Sequence, residues 1–330
     1  MNNALPEAGE HPTISVVIPY YNSGAFIEGA LEQLSQQTFR DFEVVIVDDG
    51  SSADEAALAR EAAARWHAIY LRQSNAGPGA ARNRGARMAK GTWIAFLDVD
   101  DTWEPSKLAE QIAAGADQDL VLCDTQTVAK SGTLRHRHFW SSYIGTDVFS
   151  AAILRGDVYS FTSAIFVRTE LFFALGGFDE RLRYLEDHHF LYRAVKVLRW
   201  TCLGKALSSR IVHEESMSHI SRNLDVDAHV ERRKLFLDVL SEFEPELDKK
   251  DHLLREMHRN IKRSIVMRRP QKALELALRA VALKPARLKN YGFLIAIIIS
   301  LASPSEFDHW NPDLAQIAKT ADKPRALPCP

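Results

Sequence analysis

The sequence predicts an α/β fold, a mostly parallel sheet with helices on both faces, followed by a helical appendage. Three observations carry this expectation. Short apolar, β-branched runs alternate with stretches of helical periodicity along the first hundred residues. The connections between them are short, as crossovers between parallel strands require. From about Asp225 onward such runs give way to helices rich in Lys and Arg.

The elements follow in order. Ile14 to Ile18 is a β-branched strand that ends at Pro19 and opens into the turn Tyr20-Tyr21-Asn22-Ser23-Gly24. Phe26, Ile27, Ala30, Leu31 and Leu34 recur at helical spacing, and Phe42 to Val47 is a second apolar strand stopping at Asp48-Asp49-Gly50. An alanine-rich helix spans Asp54 to Trp66, a short strand Ile69 to Leu71, and a further helix Pro78 to Lys90, with Gly91 as its exit. Trp93 to Leu97 then runs straight into Asp98, Asp100 and Asp101. That is a buried strand ending in an acidic loop, where like charges repel unless a cation sits among them. In open α/β sheets ligands gather at the carboxyl ends of strands, where Tyr21, Asp48, Asp49 and Asp98 to Asp101 all fall.

Farther on, Leu120 to Asp124 reads as a strand, Arg135 to Trp140 as a basic, aromatic loop able to cover a site, and Ser160 to Val167 as another strand. Glu170 to Leu175 is a helix ending in the Gly176-Gly177 turn. Glu186-Asp187 precedes an amphipathic helix, His188 to Leu198, whose macrodipole favours an ionised carboxylate at its start. His213 follows the strand-like Ser208 to Val212.

Composition excludes several classes. The chain has 330 residues, 46% hydrophobic and 25% charged, with a formal net charge of −2, so no global charge draws it to nucleic acid. Cys123, Cys202 and Cys329 are few and widely spaced, which favours a reduced, cytoplasmic compartment. Met1 to Pro12 has no basic segment leading into an apolar core, so no signal peptide is expected. The expected organisation is a flexible tail over 1–13, one α/β domain in two halves over 14–101 and 102–224, and the helical appendage over 225–330.

The segments Val17 to Asn22, Val47 to Ser51, Asn75 to Asn83 and Phe96 to Asp101, in that order, resemble the family 2 glycosyltransferases, which share the GT-A fold. The match continues through Gly176 to Glu180 and Glu186-Asp187, and covers roughly residues 14 to 220. The resemblance implies an inverting transferase with a nucleoside-diphosphate sugar as donor, a UDP-sugar by base rate, and Mn2+ or Mg2+ as cofactor. It implies a glycan or lipid-linked acceptor. Pro19 and Tyr21 would wall the base pocket, Asp48 or Asp49 would accept from the base, Arg82 or Asn83 would face the nucleotide, and Asp98 would face the ribose or share the metal. Asp100, Asp101 and His213 would hold the ion, and Asp187 would be the general base. A bound divalent ion stabilises the departing diphosphate as a Lewis acid, and an inverting transfer needs one protein base. At His188, where an aromatic such as Trp is frequent, the sequence departs from the family pattern.

Two enzyme rivals and one non-enzyme rival stand beside this. Gly77 to Arg82 superficially suggests a dinucleotide loop, but it follows the third strand and lacks the third Gly. A histidine-only metal site from His188, His189 and His213 lacks a helical pair at ligand spacing. A nucleotide-binding scaffold without turnover would not need the acidic loops together with Asp187. In the appendage, Lys249 to Lys289 carries thirteen Lys or Arg against three Asp or Glu, a bias that suits contact of residues 249–301 with an anionic membrane surface. Phe293 to Leu301, the most apolar run, is too short to span a bilayer and reads first as a packing helix.

Overall fold

The structure, a computed structural model, describes Leu5 and residues 11–129, 131–143, 145–158, 161–212, 226–266 and 269–302. The chain forms two compact units, Met1–Arg222 and Asn223–Pro330.

The first unit begins with the expected alternation: β1 (Ile14–Tyr20), α1 (Gly24–Ser35), β2 (Phe42–Asp48), α2 (Ala53–Arg65), β3 (Ile69–Arg72), α3 (Pro78–Met88) and β4 (Trp93–Phe96). These four strands are mutually parallel in the order β3-β2-β1-β4. Register pairs Tyr20 with Asp48 and Val17 with Phe96, so the turn after β1 and the acidic loops after β2 and β4 leave the sheet along one edge. Ile14, Val16, Val17 and Ile18 of β1 are wholly buried, as a strand covered on both faces must be.

The second half is mixed. β5 (Asp101–Trp103), α4 (Lys107–Ala114), β6 (Leu120–Ala129), β7 (Leu134–His138), α5 (Thr146–Arg155), β8 (Phe166–Arg168), α6 (Thr169–Ala174), α7 (Glu186–Val197) and β9 (Trp200–Val212) complete the unit. β8 lies antiparallel between β4 and β6, β9 runs parallel to β6, and β5 returns antiparallel on β9. Three expectations are corrected here. Arg135 to Trp140 is not a loop, because Leu134–His138 pairs antiparallel with β6 in a hairpin whose turn holds Gly132 at φ 80°. Its residues are almost all exposed, so no alternation of apolar side chains marked it as a strand. Ser160 to Val167 is not one strand either, since Thr162–Ala164 forms a single 3₁₀ turn and pairing starts at Phe166. The helix expected from His188 starts at Glu186, which places both acids in its first turn.

The second unit contains α8 (Val226–Phe243), α9 (Lys249–Val266), α10 (Pro270–Leu283) and α11 (Leu288–Ala302). Leu254, Met257, Ile261, Ala273, Leu276, Ala277, Ala280 and Ile297 form its core, so α11 packs through Ile297 as the packing reading expects. The buried Asn290 donates to the carbonyls of Ala280 and Lys284 at 2.8 Å each and fastens α11 to the end of α10. Much of the basic excess is met inside the unit: Lys272 and Arg279 pair with Asp227, while Arg255, Lys284 and Arg287 converge on Asp251. Among the described residues no helix is long and apolar enough to cross a membrane.

Candidate active site

The loops after β1 and β2 are laced together. Asn22 takes a left-handed φ of 45°, its N–H donates to Ser51 Oγ at 2.9 Å, and its side-chain oxygen accepts from Ser52 N at 2.9 Å. Pro19 sits in β1 beside Val47, and Tyr21 stands 51% exposed above the strand ends. Asp48 and Asp49 face inward. Asp48 is fully buried, accepting from Ser51 N at 2.9 Å and the Tyr70 hydroxyl at 2.8 Å, with Arg72 at 3.5 Å. Its carboxylate thus shapes the loop from within. Burial first, then the bond to Asp48, pushes the Tyr70 phenol up. Asp49 accepts from the N–H groups of Ala76 and Gly77 and from Gln73, each at 2.8 Å, which ties the β2 loop to the start of α3.

The acidic loop after β4 is built differently. Ser163, carried by the 3₁₀ turn, accepts from Asp98 N at 3.0 Å and donates to Asp101 at 2.6 Å. Asp101 is buried in β5 with Arg210 opposite it in register, while Asp98 and Asp100 are partly exposed. Burial, then the charges of Asp100 and Asp98, raises the Asp101 carboxyl well above its ordinary range, against the opposing pull of Arg210 and Ser163. These three oxygen donors have the chemistry of a hard divalent cation site, and such an ion would relieve their mutual repulsion. Among the described residues, no group of three His, Cys, Asp or Glu side chains is arranged to hold an ion by itself. His213 lies outside the described residues.

Arg82 links this loop to α7. Its guanidinium is buried, donating to Asp98 Oδ1 at 2.5 Å and Glu186 Oε1 at 2.8 Å, and it lies over the Phe178 ring at 5.6 Å. Arg82 is thus not turned out toward a nucleotide as the sequence led us to expect. Burial alone would depress it, but Asp98 and Glu186 hold it firmly cationic. Asn83, also buried, exchanges bonds with the backbone of Phe178, accepting at 2.9 Å and donating at 2.8 Å. Two glycines permit the approach: a Cβ on Gly79 would sit 3.2 Å from Glu186, and Gly177, at φ 64°, packs where a Cβ would strike Asn83. A surface hollow of about 330 Å³ beneath the Gly176-Gly177 turn is lined by Asn83, Arg87, Phe172 and Glu180 but by none of the acidic loop.

Glu186 and Asp187 enter α7 after Leu185, a non-glycine residue in the left-handed region at φ 65°. Such a conformation costs about 1–2 kcal/mol and turns both carboxylates inward. Burial, then the charge of Asp187, raises Glu186 to about 7, although Arg82 opposes the rise. Burial pushes Asp187 upward too, but the His188 charge, its hydrogen bonds and Arg82 together hold it well below the usual carboxylate range. Two adjacent carboxyls driven apart by their surroundings suit a proton-holding and a proton-accepting group. Sequence reading missed Ser163 and the role of Glu186. An adjacent acidic pair signals a site, but nothing local marks Glu186 as the partner of an arginine 104 positions away.

The profile of Glycosyl transferase family 2 matches residues 15–173. A curated relative, the succinoglycan biosynthesis protein ExoO of Rhizobium meliloti (strain 1021), is 31% identical over 245 residues, which is 70% of this chain and 70% of ExoO. The chain spans 62% and 56% of the lengths of two further curated relatives, both described as glycosyltransferases. Among solved structures, S. aureus TarS 1-349 in complex with UDP-GlcNAc aligns at a TM-score of 0.62 with 20% identity, over 88% of this chain and 92% of TarS 1-349. The mannosyltransferase PcManGT from Pyrobaculum calidifontis in complex with GDP-Man and Mn2+ aligns at 0.51 with 18% identity, over 97% of this chain and 88% of that one. The expected α/β fold is accordingly that of the GT-A transferases.

Proposed function

We propose, from the premise that this chain belongs to glycosyl transferase family 2, that it moves a sugar from a nucleoside-diphosphate donor to a hydroxyl of a glycan or lipid-linked acceptor, with inversion. The observation that carries the reading is the double grip of Arg82, one guanidinium bonded to Asp98 of the acidic loop and to Glu186, the neighbour of Asp187. A candidate ion site and a candidate base thereby share one buried cation.

In this reading Pro19 and Tyr21 wall the base, with Asp49 beside them, and Asp98 lies toward the ribose or the ion. Asp100 and Asp101 hold Mn2+ or Mg2+, with His213 as a further ligand. Such ions commonly take only one or two carboxylates from the protein and complete their shell with substrate phosphates, so an incomplete protein ligand set suits the task. The ion supplies Lewis-acid stabilisation of the diphosphate leaving group. Asp187 takes the proton of the acceptor hydroxyl as its oxygen attacks the anomeric carbon on the face opposite the diphosphate. A UDP-sugar is the proposed donor, a choice supported by the UDP-GlcNAc bound to TarS. The proposed place of work is the cytoplasm, at the inner membrane face. There residues 249–301, with Leu288 and Tyr291 exposed beside Lys289, would meet anionic lipid.

The test is donor binding and turnover with Mn2+ in Asp100→Ala and Asp187→Asn. Asp100→Ala is expected to lose metal-dependent nucleotide binding, seen as a vanished thermal shift. Asp187→Asn is expected to keep that shift and lose turnover by about 10²–10⁴-fold. Nucleotide binding without turnover in the unaltered protein, across UDP-, GDP- and dTDP-sugars, would leave a scaffold in place of an enzyme.

A further inference from the structure

We infer that His188 is a positioning residue for Asp187: its ring, held from behind by the Val158 carbonyl, grips one oxygen of the carboxylate and leaves the other to the acceptor. The inference rests on the reading of Asp187 as the base.

The geometry is a chain of three groups. His188 Nε2 lies 3.0 Å from the Val158 carbonyl oxygen, and Nδ1 lies 3.0 Å from Asp187 Oδ1. The His188 backbone N–H donates to the same Oδ1 at 2.7 Å. Both polar neighbours of the ring are acceptors, so Nδ1 serves Asp187 only as a donor. Among the described residues Oδ1 takes both hydrogen bonds and Oδ2 takes none. Among the described residues, then, one oxygen is pinned and the other is open. Asp187 and His188 are both largely buried, with side chains 17% and 14% exposed, so water competes weakly for this contact.

Val158 follows α5 in the chain. Five residues on, Ser163 holds the acidic loop through Asp98 N and Asp101. The stretch that steadies the ion-side carboxylates thus also seats the ring that steadies the base. In the proposed step the acceptor O–H bond breaks, its proton goes to Oδ2, the acceptor oxygen bonds the anomeric carbon, and the diphosphate leaves with the electron pair of the old glycosidic bond. His188 exchanges no atom in that step. It fixes the carboxylate in rotation and keeps it ionised, while the charged groups facing the pair, Arg82 and Glu186, set the remaining field.

The test compares pH profiles of kcat for the unaltered enzyme, His188→Phe and His188→Asn, with donor KM measured alongside. His188→Phe removes the ring donor. Its acid limb is expected to move up by about one pH unit or more, and its plateau kcat to fall about ten-fold with donor KM within about two-fold. His188→Asn, whose amide N–H can stand in for Nδ1, is expected to regain most of the plateau while keeping the shifted limb. A His188→Phe profile that overlays the unaltered one overturns the inference. Turnover in Asp187→Asn would instead remove the base assignment on which the inference rests. Nitrogen NMR of the labelled ring needs no turnover: a proton on Nδ1 is expected, and a bare Nδ1 facing Asp187 overturns the proposed grip.

Discussion

β2 and β4 end at the same edge of one sheet in clusters of acids, two after β2 and three after β4, yet their carboxylates live under different conditions. After β2, Asp48 and Asp49 are saturated by N–H and O–H donors from Ser51, Tyr70, Gln73, Ala76 and Gly77. After β4, Arg82 pairs with the partly exposed Asp98, while the buried Asp101, bonded to Ser163, is driven toward protonation by its burial and by the charges of Asp100 and Asp98. A carboxylate whose oxygens are taken up by donors of the neighbouring loops holds the fold. A carboxylate left in the field of its neighbours carries a demand for positive charge, which in the proposed reading a metal-bearing diphosphate would meet.

The contrast breaks most sharply at Arg82. Arg82→Met strands the buried Glu186 and the part-buried Asp98 without their cation, and we expect a loss of about 3 kcal/mol in urea denaturation. A loss below about 1 kcal/mol would mean that the guanidinium does not hold the two halves of the site. Next comes Asp49→Ala, which leaves the buried Gly77 N–H without its acceptor and unties α3 from the β2 loop. Its expected cost is about 3 kcal/mol, and donor binding is expected to weaken as well, because the same loop lies beside the proposed base pocket.

A third measurement follows stability with pH. Glu186 is raised to about 7 in the fold from an ordinary value of 4.5, so the native state holds more protons than the unfolded chain between those values. The stability this gives is full below about 4.5 and is lost as pH rises through about 7. Glu186→Gln should flatten that decline by on the order of 2 kcal/mol between pH 5 and 8; an unchanged slope would relieve Glu186 of its part in the proton balance. The smallest expected change in stability is that of Asp101→Asn, within about 1 kcal/mol of the unaltered chain. The amide still accepts from Ser163 and the repulsion is gone. Donor binding with Mn2+ should nonetheless weaken by at least about ten-fold, and equal binding would show that Asp101 serves no ion.

How much of this was legible in the chain depends on the range of the signal. The first four strands and three helices were readable because periodicity is local and each apolar run is long enough to be distinct. The acidic loops were readable as loops because Asp-Asp-Gly and the Asp98 to Asp101 run break those periods. β7 was not: an exposed edge strand of Arg and His has no apolar alternation, and only its pairing with β6 makes it a strand. The grip of Arg82 was not legible either, since its two partners stand 16 and 104 positions away.

The order of residues by itself determined the α/β class and which strand ends would carry acids, because backbone preference, burial period and turn chemistry act over a few residues; the family was legible through the resemblance of its ordered segments. Tertiary structure alone decided which acids are satisfied and which are not. That Asp49 holds the entry to α3, that Arg82 bonds Asp98 and Glu186, and that the His188 ring reaches the Val158 carbonyl are facts of distance and desolvation between segments that meet only once the chain has folded. Desolvation multiplies the strength of such contacts, and no local pattern in the sequence reports it.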